Sequence, residues 1–293
     1  EGFEPDMVIL SGSMGNGLFV RNLFPEAFLV GYADWYFRDE AETRYPLSTM
    51  PDIPLAPRNI RNTLQAKNFF DCNCHFTTTE WQREQYPEGM RGFISVLRKC
   101  VDTEFFAPAP ASRFSFGDCE LTERQEIVTL SVRDAARLRE GGFWCELPSL
   151  LSARPDCHVV LISTGKEVRL DCLRESMAAF PSGMRGRIHL LDFLPPGAYR
   201  DLLCVSSLHL CKDISFMLPS ELLEAMSCGC VVLAPDTGAV REVLSDGQNG
   251  FLYPSGRRMN WVMLITLLLE RRSELLSIRR NARKTVFGKH NKN

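Results

Sequence analysis

Pro219-Ser-Glu-Leu-Leu-Glu-Ala-Met-Ser-Cys-Gly-Cys230 is the stretch on which the fold of this chain turns. It stands between two short apolar runs, Leu208-His-Leu210 and Val231-Val-Leu-Ala234. Runs of that length suit buried strands rather than helices. The segment between them has helical signals. Ser220 is the expected N-cap, with Pro219 before it and Glu221 in the first turn, where the helix dipole favours a carboxylate. Gly229 is placed to end the helix. Strand, loop, helix and strand in that order make a βαβ unit, which requires a parallel pair.

The same alternation extends in both directions. Upstream, Ile127-Val-Thr-Leu130, Val159-Val-Leu-Ile162 and Ile188-His-Leu-Leu191 read as strands, with helices expected near 143–153, 168–180 and 196–204. A first, shorter series contains strands at Met7-Val-Ile-Leu10, Phe28-Leu-Val-Gly-Tyr32 and Ile94-Ser-Val-Leu97, with helices over Leu18–Phe24 and Ile60–Phe70. The Pro/Ala-rich Ala107-Pro-Ala-Pro-Ala111 interrupts the two series and marks a joint near 104–120. The expected fold is α/β: two Rossmann-like, doubly wound parallel-sheet domains facing a cleft, over 1–110 and 111–293. A doubly wound domain opens on a strand and a Gly-containing turn, whereas this chain opens on Glu1 in what reads as a loop. About two strands of N-terminal chain are therefore expected to be missing from the first domain.

Composition excludes several classes. With 45% hydrophobic and 24% charged residues over 293 positions, the chain has the balance of a globular protein. A formal net charge of -2 provides no global field toward nucleic acid or an anionic bilayer. The longest apolar run, Trp261–Leu269, is too short to span a membrane and reads as a buried helix. The 11 cysteines are odd in number, and neither Cys72-x-Cys74-His75 nor Cys228-x-Cys230 has the spacing of a structural zinc clip. They read as reduced, mostly buried thiols in a cytoplasmic protein, and contact with the inner face of a membrane stays open.

Ligands of βαβ units sit at the carboxyl ends of the strands. The loop 213–220 therefore faces the ligand side. The helix it leads into offers N–H groups at Ser220, Leu222 and Leu223, which suit a diphosphate. Glu224, about one turn in, is placed to accept hydrogen bonds from ribose hydroxyls. On an arbitrary amphipathic helix Glu224 would be a solvated surface carboxylate. The wider pattern argues otherwise. Leu222-Leu-Glu-Ala-Met-Ser-Cys-Gly-Cys-Val-Val-Leu-Ala234, followed by Asp236-Thr-Gly-Ala-Val-Arg-Glu-Val-Leu-Ser-Asp-Gly-Gln-Asn-Gly250, resembles family 4 of the glycosyltransferases. That family's pattern runs LLEAMACGxPVIxSDxGGxxExxxDGxNGxL. Val101-Asp-Thr103 with Phe105-Phe106 is similar to its GVDTxxF, and Thr77–Tyr86 to its S-x-W-Q-R helix start. Gly15–Pro25 and Gly31–Phe37 resemble a bacterial subgroup, so the likeness covers nearly the whole chain.

The resemblance implies the GT-B fold and a retaining hexosyltransferase of glycan biosynthesis. It also implies a nucleoside-diphosphate sugar (UDP- or GDP-sugar) as donor, a hydroxyl acceptor and no required metal or cofactor. Nucleic acid is not an expected partner. A departing diphosphate must have its charge stabilised, and the family places an Arg after the first strand of the second domain with a basic residue six positions later. Arg133 and Arg139 fit that spacing, with Arg137 as the register competitor. The Thr237-Gly238 turn is expected to line the sugar or phosphate subsite, Gly15 to bring backbone to the donor or acceptor, and Asp34 to lie near the reacting centre. Phe216 stands where the family has a second carboxylate, Cys100 where it has Gly, Asn16 where the subgroup has Glu, and Ser163-Thr-Gly-Lys-Glu replaces a Gly-Gly-Asp turn. Two other readings compete: a non-catalytic nucleotide-sugar-binding module and a nucleotide-sugar 2-epimerase. The base, the sugar, the acceptor and the oligomeric state are not specified by the sequence.

Overall fold

The computed structural model describes residues 2–12, 15–38, 55–109, 112–140, 142–165, 167–212, 217–254, 259–272 and 274–292. Contacts divide the chain into two units. The first comprises Glu1–Lys99, Ile214–Leu218 and Thr237–Glu242, and the second comprises Cys100–Asp213, Pro219–Asp236 and Val243–Asn293.

The first unit is built from β1 (Met7–Ser11), α1 (Val20–Leu23), β2 (Phe28–Tyr32), α2 (Leu55–Asp71), β3 (Cys74–Thr77), α3 (Glu80–Gln85), α4 (Glu88–Arg91) and β4 (Ile94–Val96). Its sheet is parallel throughout, in the order β1-β2-β3-β4. Leu29 and Leu10 anchor one apolar cluster, and Ala33, Tyr86 and Ile94 another. Strand β3 is an addition to the sequence reading. Its short Cys-His-Phe-Thr run draws attention as a metal clip, yet the backbone pairs with β2 and β4, and the His75 ring stacks on Phe69 with centroids 4.1 Å apart.

The second unit begins with an antiparallel hairpin, β5 (Arg113–Phe116) and β6 (Cys119–Thr122). It lies inside the expected joint and was legible, since two residues, Gly117-Asp118, separate two alternating runs. There follow β7 (Glu126–Val132), α5 (Ala135–Glu140), α6 (Gly142–Ala153), β8 (Cys157–Ser163), α7 (Asp171–Met177), α8 (Ser182–Arg185), β9 (Ile188–Leu191), α9 (Pro196–Val205), β10 (Leu208–Leu210), α10 (Ser220–Ser227) and β11 (Val231–Pro235). The short α11 (Gly238–Arg241) belongs to the first unit, and the chain returns for β12 (Phe251–Tyr253), α12 (Trp261–Glu270) and α13 (Leu276–Lys289).

The six strands run in the order β12-β11-β10-β7-β8-β9, all parallel. Strands β10 and β11 are buried at every position, and β7 and β8 at all but one. That burial is the signature of a parallel sheet covered on both faces. On α12, Trp261, Ile265, Leu268 and Leu269 are buried, whereas Met263 is 64% exposed, so the helix is buried along one face only. None of the 11 cysteines is in a disulfide. Among the described residues no helix is long and apolar enough to cross a membrane.

The sequence reading put the joint near residue 110, whereas contacts divide the chain at Lys99–Cys100. Hydrogen bonds to the C-terminal helix account for the difference. Val101 N donates to His290 O at 2.8 Å, Thr103 Oγ1 to Asn291 Oδ1 at 2.9 Å, and the Arg283 guanidinium donates to Thr103 O, Phe106 O and Ser227 O at 2.7–2.9 Å. A conformationally restricted segment read as a linker is thus tied down by long-range polar contacts that local sequence does not display.

Candidate functional site in the second unit

In the second sheet, β7 has β8 on one side and β10 on the other, so the chain order reverses direction about β7. Open α/β sheets hold ligands at such a switch point, beyond the carboxyl ends of the strands. A cavity of about 300 Å³ lies there. Its wall takes Ser131 and Arg133 from the end of β7, and Ile162, Ser163 and Thr164 from the end of β8. Phe193 and Leu194 follow β9, Tyr199 comes from α9, and Ser220, Glu221 and Glu224 come from α10.

Helix α10 presents an open N-terminus. Its N-cap is Pro219 (φ -67, ψ 134), with no side-chain cap hydrogen bond. This corrects the expectation for Ser220, which is the first helical residue. Proline carries no N–H and its fixed φ pre-sets the entry, so the cap falls one residue earlier than Ser220. The N–H groups of Ser220, Glu221 and Leu222 precede the first helical hydrogen bond. Leu223, one residue further on, directs its N–H back to Pro219 O by helix geometry. The side chains of Leu222 and Leu223 are 0% and 1% exposed and belong to the core. Leu222 therefore has only its backbone N–H to offer, and Leu223 has neither side chain nor N–H. Glu224 is half-buried on the cavity wall. Beyond the helix, Gly229 adopts φ +72, the left-handed conformation a helix end requires and glycine takes without penalty.

Of the two arginines, Arg133 lines the cavity, and Arg139, exposed on α5, does not. A helix that starts at Ala135 carries the six-residue spacing round to another side, whatever the spacing suggests in sequence. The Arg137 side chain and Phe216 lie outside the described residues. The replaced Gly-Gly-Asp turn is closed by Ser163, whose Oγ lies 2.6 Å from Gly165 O and 2.9 Å from Val168 O, its one hydrogen shared between the two carbonyls. Tyr199 was missed in the sequence, although the Pro195-Pro196-Gly197 start of its helix marked the position. Burial first, and then the charges of Glu221 and Glu224, push its phenol well above its usual range.

The remaining predicted residues fall in the first unit. Asp34 is 7% exposed, and its carboxylate accepts from Trp35 N at 2.8 Å, from Ser11 Oγ at 3.5 Å and from Gln65 Nε2. Gln82 Nε2 donates to the Asp34 carbonyl at 2.8 Å. Asp34 thereby ties together the ends of β1 and β2 and the helices α2 and α3. Gly15 lies in the turn after β1 with φ +74. Thr237 caps α11, its Oγ1 accepting from Val240 N at 3.4 Å. Gly238 packs against the Trp81 indole so closely that a Cβ would collide with the ring. Both residues of that turn thus have a structural role in the first unit.

Comparison with known proteins agrees with this architecture. The family pattern described as "Glycosyl transferase family 4 group" matches residues 1–106, and "Glycosyl transferases group 1" matches residues 147–285. The chain is 27% identical over 169 residues to alpha-maltose-1-phosphate synthase of Mycobacterium tuberculosis, a match covering 57% of this chain and 43% of that protein. It is 30% identical over 154 residues to phosphatidyl-myo-inositol mannosyltransferase of Mycolicibacterium smegmatis, covering 53% and 37% respectively. The chain thus spans less than half the length of the curated relatives it matches. Among solved structures, Anabaena HepE in complex with UDP-glucose superposes with a TM-score of 0.70 at 14% identity, covering 98% of this chain and 75% of that one. Sucrose-phosphate synthase from Thermosynechococcus elongatus gives 0.69 at 14% identity, covering 98% and 70%. The fold is GT-B, and the chain belongs to the group 1 glycosyltransferases.

Proposed function

We propose that the chain carries the donor-binding machinery of a retaining hexosyltransferase that uses a nucleoside-diphosphate sugar and a hydroxyl acceptor. The observation that carries this reading is the cavity at the switch point of the second sheet, which joins Arg133, the open start of α10 and Glu224. Arg133 and the N–H groups of Ser220 and Leu222 take the diphosphate, where a guanidinium and a helix N-terminus both favour negative charge. Glu224 accepts from the ribose hydroxyls. Ile162, Phe193 and Leu194 supply an apolar wall for the base. Arg139, Asp34, Gly15 and the Thr237-Gly238 turn are proposed for the diphosphate, the reacting centre and the sugar subsite on the family pattern alone. The C1–O(phosphate) bond breaks as the C1–O(acceptor) bond forms on the same face. The departing phosphate oxygen takes the hydroxyl proton, so no protein nucleophile is needed. UDP is favoured over GDP as the carrier because HepE was solved with UDP-glucose.

Titration calorimetry with UDP, UDP-glucose and GDP-mannose on Glu224→Ala tests the assignment. Loss of hydrogen bonds to a charged group is worth about 1.5–3 kcal/mol, so nucleotide affinity is expected to fall about 10- to 100-fold with the far-UV circular dichroism unchanged. Unaltered affinity sinks the reading. A binding module without turnover is the second reading, favoured by the burial of Asp34 among neutral donors. Labelled donor separates it from a transferase by the absence of glycoside, and from an epimerase by the absence of free epimer.

A further inference from the structure

Beneath the Glu224 cavity, in the core of the second unit, three side chains of metal-binding type converge. His209 and Cys211 are two residues apart at the end of β10, so they share one face of the sheet, and Glu221 comes down from the first turn of α10. One ligand atom from each lies within 4.8 Å of the others, and all three residues are buried. The hydrogen bonding around His209 is the second observation. Thr129 Oγ1 donates to Leu208 O at 3.4 Å and lies 2.9 Å from His209 Nδ1. We assign the one Thr129 hydroxyl hydrogen to the carbonyl, so that its oxygen accepts from Nδ1–H, because the other ring nitrogen has no partner. The lone pair is then on Nε2, which is fully buried with no hydrogen-bond partner. A buried imidazole with one nitrogen fixed by a hydroxyl and the other bare is the arrangement found in metal-ligating histidines.

We infer that His209, Cys211 and Glu221 form a site for a thiophilic divalent cation of the zinc class. Nitrogen, sulfur and carboxylate oxygen together match zinc rather than magnesium or calcium, which take oxygen ligands. A thiolate and a carboxylate neutralise the charge of the ion, so the core gains no unpaired charge. Tetrahedral bonds of about 2.0–2.3 Å separate ligand atoms by about 3.3–3.8 Å, so side-chain rotations of about 1 Å close the set. Three protein ligands leave the fourth position to solvent. The inference does not rest on the donor reading: Glu221 also lines the donor cavity, but the proposed transfer uses none of the three side chains.

The test uses the full chain with the exposed Cys74, Cys100 and Cys145 changed to serine, stripped with chelator and titrated with cobalt(II). The expected result is equimolar binding with a thiolate-to-cobalt charge-transfer band that zinc(II) abolishes, and a higher Tm with zinc but not with magnesium. Cys211→Ser and His209→Gln are expected to lose the band. Thr129→Val, which keeps the volume but cannot accept the Nδ1 proton, is expected to keep the band while affinity falls about 10- to 100-fold. Absence of the band in the parent chain overturns the site without recourse to any variant. So does a band that survives both Cys211→Ser and His209→Gln.

Discussion

Helices α10 and α11 follow adjacent parallel strands of one sheet, yet their first turns are built in opposite ways. Thr237 closes α11 with its own hydroxyl, and the Trp81 indole presses against Gly238 at the first helical position. Helix α10 starts behind Pro219 with no side-chain cap, and its first residues line a cavity. A helix end leaves N–H groups that a side chain, solvent or a ligand must satisfy. The contrast teaches that two segments with equally strong family motifs can differ in what they have left to offer. At α11 a hydroxyl caps the first turn and an indole fills the space beside Gly238. At α10 no side chain caps the first turn, and that turn lines a cavity.

The comparison can be tested most severely at Leu222. Its side chain is fully buried, so Leu222→Ala is expected to cost about 2–5 kcal/mol by denaturant unfolding, as a core truncation does. A stable variant with weakened nucleotide binding would instead make Leu222 a ligand contact and blur the distinction. Gly238→Ala comes next. The added methyl must displace an indole that already packs on Trp35 with centroids 4.7 Å apart, and a loss of about 1–3 kcal/mol is expected in the same assay. If stability is unchanged while sugar-nucleotide affinity falls, the turn serves a ligand rather than packing.

Thr237→Ala removes a genuine cap and is expected to cost about 1 kcal/mol, a lower Tm with no change in nucleotide affinity. Ser220→Ala should be the mildest. Ser220 is exposed and caps nothing, so its stability effect is expected within about 0.5 kcal/mol. A drop at Ser220 as large as that at Thr237 would show that the serine is a cap in solution, and the asymmetry of the two helix starts would disappear.

The cap at Ser220 also illustrates where sequence reading goes astray. Ser is a strong N-cap former, but a preceding proline can begin the helix by its own fixed φ, and residue preference does not tell which of the two wins. Arg139 is a second case in which spacing does not decide placement, since it does not line the cavity that Arg133 lines. Its spacing from Arg133 is right, yet six residues cross a loop and enter a helix, and the angular phase of that helix is set by packing in the core cluster.

The sequence by itself determined the α/β class, the strands at Phe28–Tyr32, Ile188–Leu191 and Leu208–Leu210 to the residue, and the helix that carries Glu224. Those features follow from local periodicity, turn chemistry and family motif, which are written in consecutive residues. The tertiary structure decided which motif residues meet. Arg133, Glu224 and the uncapped α10 converge only because β7 lies at the switch point of the sheet. His209, Cys211 and Glu221 converge because strand pairing and helix packing bring β10 and α10 together. That convergence depends on strand order and helix phase, and both are properties of the assembled core rather than of any segment of the chain.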